Sequence, residues 1–177
     1  MHGAGSSGWL LVALCAATGA YCLLRMRSAV EEQRRTAGGE ALMGFGMAVM
    51  AVPAAVVTPP RWAWAVHTAV FGAAALRALW GARTGGHHLH HLVGACAMAY
   101  MALVMARGGH TGVPVLTGVL LVYFTGYVLW TGSRLIPVTA AGRPGGAAAV
   151  GWGDRLELAR ACRLSMGIGM LAMLLGV

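Results

Sequence analysis

Nine methionines fall in three short apolar segments at helical spacing, and thioether sulfur in that arrangement points to soft-metal chemistry. Residues 43–50 read MGFGMAVM and residues 166–173 read MGIGMLAM, identical at five of eight positions. Residues 95–101, ACAMAYM, repeat the pattern loosely: a small residue, any residue, a small residue, then Met-x-x-Met. Because a helix turns every 3.6 residues, Met43, Met47 and Met50 share one face. The same holds for Met98, Met101 and Met105, and for Met166, Met170 and Met173. Thioether ligands select Cu(I), with Ag(I) as its mimic. Stacked weak sites would let such an ion dehydrate and then move on.

The spacing predicts one layer from Met47, Met98 and Met170 and a second from Met50, Met101 and Met173, with Met43, Met105 and Met166 extending the path. Glu40, His91 and Cys162 precede the three stripes and bring carboxylate, imidazole and thiol donors. They are expected to form the cytoplasmic end of the path. In the run HHLHH at 87–91, four histidines cannot share one helical face, so at most two, His87 and His91, join the stripe.

A different reading needs no ligand. Methionine is a flexible apolar filler, and Gly44, Gly46, Ala95, Ala97, Gly167 and Gly169 would let helices approach closely, as in a structural or assembly membrane protein. A third reading, a haem carrier or membrane enzyme, finds less support. Haem b needs two axial histidines at facing depths, and His67 lies toward the opposite side of the membrane from His87 to His91. No P-loop, HExxH or hydrolase triad pattern is present, so no catalysis is expected.

Such residues require helices to hold them, and the composition says in what solvent. Hydrophobic residues make up 58% of the 177 and charged residues 10%, too apolar a balance for a domain with a water-facing surface. A crossing takes about 20 apolar residues, so six fill the chain. The expected fold is all-α, one polytopic bundle with six transmembrane helices at about 9–26, 41–58, 62–82, 89–106, 114–132 and 158–177. Residues 137–153 read as a flexible cytoplasmic loop. Asp154 and Glu157 fit a capped start for the last helix. The first apolar run has no Arg or Lys before it, so it is expected to be a retained helix rather than a cleaved leader.

All thirteen basic residues are arginine. With the N-terminus outside, Arg25, Arg27, Arg34, Arg35, Arg83, Arg134, Arg143, Arg155, Arg160 and Arg163 fall on one side and Arg61 and Arg107 on the other. The positive-inside rule makes the richer side cytoplasmic and puts both termini outside a multi-pass cell membrane. Arg77, inside the third span, reaches the interface by snorkelling. The net charge of +8 is scattered over connections with no basic, aromatic-interleaved face, so nucleic acid is not an expected partner. The expected partners are the lipid bilayer and a copper donor or acceptor protein. Cys15, Cys22, Cys96 and Cys162 lie in apolar runs and are read as thiols.

The six-span layout, the segment GEALMGFGMAVMAVP, the helix from HHLHH to AMAYM and the terminal SMGIGMLAML resemble the actinobacterial integral membrane family catalogued as domain of unknown function 5134. That resemblance implies a polytopic membrane protein and carries no activity with it. A local likeness, to the methionine triads of Ctr-type copper importers, rests on the M-x-x-x-M pairs Met43 with Met47, Met101 with Met105 and Met166 with Met170. Those importers gather three copies of a short chain, whereas here one chain supplies three helices.

Overall fold

Proline decides where the second helix stops. Pro53 cannot donate a backbone hydrogen bond and disfavours helical geometry at Val52, so α2 ends at Met50 instead of continuing through the apolar run that follows. Its start differs as well. The polar turn from Glu31 is helical, with Glu31 paired to Arg35 one turn on, so α2 begins ten residues before its apolar stretch.

The structure is a computed structural model that describes residues 3–28, 30–82, 89–108, 112–134 and 156–176. Among these residues it is all helical, with six helices and no strand. They are α1 (Gly3–Arg25), α2 (Glu31–Met50), α3 (Arg61–Ala82), α4 (Leu89–Ala106), α5 (Pro114–Ser133) and α6 (Leu156–Leu174). The expected loop at 137–153, the cap at Asp154 and the histidines at 87 and 88 lie outside the described residues.

Three segments are long and apolar enough to cross a membrane: Ser7–Arg25, Leu89–Ala106 and Pro114–Ser133. The other helices carry charge within their lengths, including Arg34, Arg35 and Glu40 in α2, Arg77 in α3 and Arg163 in α6. The outward faces are nonetheless apolar. Val115, Val122 and Trp80 are each about three-quarters exposed, and Leu10, Trp62 and Leu129 nearly as much. A single-chain surface so rich in exposed apolar side chains is unlike that of a soluble monomer.

Small residues set the helix spacing. A β-carbon on Gly44 of α2 would stand 2.8 Å from the backbone nitrogen of Gly19 in α1, so these two helices touch main chain to main chain. Glu40 meets Arg25 while Gly8 meets Pro53, which makes α1 and α2 antiparallel. Against α2, α4 and α6 run parallel: Met43 faces Gly94 and Gly46 faces Met98, while Glu40 meets Arg163 and Met47 lies by Gly169. α5 completes the group antiparallel to both α4 and α6, through His90 to Tyr123, Tyr100 to Thr117 and Gly167 against Val128.

Candidate functional site

Glu40 is the place to begin, because a carboxylate amid apolar helices must find partners. It lies one-half of the way along α2 and is 2% exposed. Arg25, the last residue of α1 and 1% exposed, donates from Nη1 to its Oε2. Arg163 of α6 donates from Nε to Oε1 at 2.7 Å, and the Cys22 thiol approaches Oε2 at 3.7 Å. Three helices are tied at one carboxylate. Two guanidinium groups against one carboxylate leave an excess positive charge, and Arg25 Nε is buried with no hydrogen-bond partner among the described residues.

The expected ligand Glu40 is held between two arginines. Both of its oxygens serve arginines, so it does not stand free as a cation ligand. Nor do Glu40, His91 and Cys162 come together: among the described residues, no three His, Cys, Asp or Glu side chains gather in metal-holding geometry. Arg25 and Arg163 read as topology signals in the sequence, and their pairing was the missed feature. An acid at the start of the apolar part of α2, nine residues past Glu31, was the available clue.

Beyond Glu40 the site turns to sulfur. A cavity of about 20 Å³ is lined by Met43 of α2 and Met166 and Met170 of α6, with His90 and His91 of α4 and Glu40 and Arg163 at one end. That volume is close to what one water molecule or a single ion occupies. His90 was not among the expected ligands. Its ring stacks on Tyr127 at 3.8 Å with 12° between planes, and its Nδ1 lies 3.3 Å from the Tyr123 hydroxyl. The helical register of α4 carries both His90 and His91 to the cavity, where the sequence pattern put His87 and His91, and not His90, on the methionine face.

The remaining methionines turn inward too. Met47, Met98, Met101 and Met170 are at most 2% exposed, and Met166 is also buried. Met43, Met50 and Met173 pack against this core, and Met105 is half-buried. Their neighbours differ, however. Met47 Sδ and Cys15 Sγ lie 3.7 and 3.5 Å from a β-carbon position on Gly169, whereas Met98 meets Gly46 on another face of α2, beside Phe71. Met170 thus lines the small cavity, and Met47 and Met98 do not. Cys162 is half-buried near the same end, and all four cysteines are free thiols. His67 packs over Phe71 at 4.7 Å between ring centres, with its Nε2 buried and lacking a hydrogen-bond partner among the described residues.

The sequence profile of domain of unknown function 5134 matches residues 32–177. The chain belongs to that family. No curated protein and no solved structure shows significant similarity to it. Within the part shared with the 5134 family lie Glu40, Arg163, both histidines and all nine striped methionines. Arg25, Cys15 and Cys22, which close the site from α1, precede the matched segment.

Proposed function

We propose that this chain is a six-span plasma-membrane protein that binds Cu(I) and either moves it or hands it to a copper donor or acceptor protein. The carrying observation is that Met43, Met166 and Met170 line one small cavity together with His90 and His91. Neutral thioether and imidazole are a donor set suited to a soft monovalent ion. The apolar outer faces and the uneven arginine distribution support insertion in a bilayer with both termini outside. Glu40, held by Arg25 and Arg163, fixes the helices that present the donors. The ion sits on the methionine side of that triad.

Competition for Cu(I) between the purified protein and a chromogenic chelator tests this. Replacing Met43, Met166 and Met170 by leucine keeps shape and apolarity and removes only sulfur. The affinity should fall at least about tenfold, the loss that even outer-shell changes produce at metal sites. Unchanged competition would refute the site.

One observation favours a second reading, an assembly protein that uses methionine purely to pack. Met43, Met47 and Met98 each lie against a glycine of the neighbouring helix. On that account the triple-leucine protein has native thermal stability and wild-type Cu(I) behaviour alike.

A further inference from the structure

A second, larger cavity opens between α2, α3 and α4, at the end of the bundle where α2 begins and α3 finishes. Its volume is about 630 Å³, within the usual range for a site that takes a small organic ligand. Its lining is divided. Arg34, Arg35 and Arg77 contribute three guanidinium groups, while Leu42, Phe71 and Ala74 form an apolar wall deeper in. No acidic side chain among the described residues lines it.

Arg77 carries the argument. It stands five residues before the end of α3, about a turn and a half inside the helix, where a cation facing lipid is costly. Arg35 has its partner in Glu31, but neither Arg34 nor Arg77 has an ion pair among the described residues. Arg77, Arg34 and Arg35 are all exposed and line one cavity with no acidic side chain beside them in its wall, a concentration of positive charge that attracts an anion. The adjoining apolar wall needs a hydrocarbon.

We propose that this cavity is a binding site for an anionic phospholipid, with the headgroup phosphate held among Arg34, Arg35 and Arg77 and the first part of an acyl chain against Leu42, Phe71 and Ala74. Basic pockets between membrane helices recognise anionic headgroups in this way. A guanidinium pairs with phosphate oxygens through its planar fork, which a zwitterionic headgroup engages less well because its own ammonium offsets the charge. This cavity shares Met43 and His91 with the smaller one as wall, but the groups offered to the phosphate are the arginines.

The test uses the full chain in detergent micelles, with lipid retention read by native mass spectrometry. Phosphatidylglycerol should be retained at least tenfold more strongly than phosphatidylcholine of the same chains. Arg77→Gln and Arg34→Gln should each weaken phosphatidylglycerol about fivefold, the effect of one arginine near an anionic lipid. Arg27→Gln removes an equal charge from an exposed position outside the cavity and should change little. The proposal is overturned if the two lipids are retained equally, or if Arg27→Gln weakens retention as much as Arg77→Gln. It is also overturned if millimolar inorganic phosphate displaces phosphatidylglycerol, since the site would then take free phosphate and not lipid.

Discussion

The terminal methyl of Met43 stands 2.8 Å from where a β-carbon on Gly94 would be, so Met43 can lie against α4 here because residue 94 has no side chain. The same methionine lines the sulfur cavity, and its position is therefore set by a glycine on another helix. Gly94→Ala should leave the protein folded, because only the flexible end of Met43 has to move. It should weaken Cu(I) binding in the chelator assay on the order of tenfold, since a displaced ligand is lost to the site.

Gly44 provides the contrast. Its neighbour is the backbone of Gly19 and cannot give way, so Gly44→Ala should destabilise by about 1–3 kcal/mol despite alanine's better helix propensity. Gly72 has nothing within 4 Å of where its β-carbon would stand, and Gly72→Ala should be neutral or stabilise by up to about 1 kcal/mol. Thermal unfolding in detergent ranks the two. Equal melting temperatures would contradict the close contact of α1 with α2.

The triad at Glu40 should show the asymmetry of buried ion pairs. Glu40→Gln strands Arg25, which is almost wholly buried, and should destabilise by about 3–5 kcal/mol. Arg163→Gln should be much milder, because Arg163 is 38% exposed and Glu40 keeps Arg25. Unfolding measured for the two variants side by side decides it, and the reverse order would mean that Arg163 is the principal partner.

How far could this arrangement be read from the residues? α4 begins and ends where its apolar run does, and the shared face of each methionine stripe follows from helical spacing, while its inward turn is set by packing. The parallel direction of α2, α4 and α6 follows from alternation of the spans, whereas their register is set by tertiary contacts such as Gly46 with Met98. The bounds of α2 did not follow, because a charged turn such as that after Glu31 can be helix or loop until its neighbours are known, and Pro53 stops the helix short of the apolar stretch. The Arg25–Glu40–Arg163 triad was hidden for a similar reason. Arginine near a span end serves topology by default, and only tertiary contact reveals which ones turn inward. His90 escaped notice because its partners, Tyr123 and Tyr127, come from α5, about 33 residues away in sequence.

Charge should govern which ion is accepted. The excess positive charge beside the cavity repels a dication twice as strongly as a monocation at the same distance. Ag(I) should therefore compete with Cu(I) and Zn(II) should not. Arg163→Gln removes one of the two guanidinium groups and should tighten Cu(I) binding on the order of tenfold. Weaker binding in that variant would show that Arg163 acts through geometry instead of charge.

The most direct measurement is X-ray absorption at the copper edge on Cu(I)-loaded protein. Ligation by Met43, Met166 and Met170 with a histidine gives a first shell that contains sulfur, and the sulfur contribution should vanish in the triple-leucine variant. A shell of nitrogen and oxygen alone, or one that the leucine substitutions leave unchanged, would contradict the account.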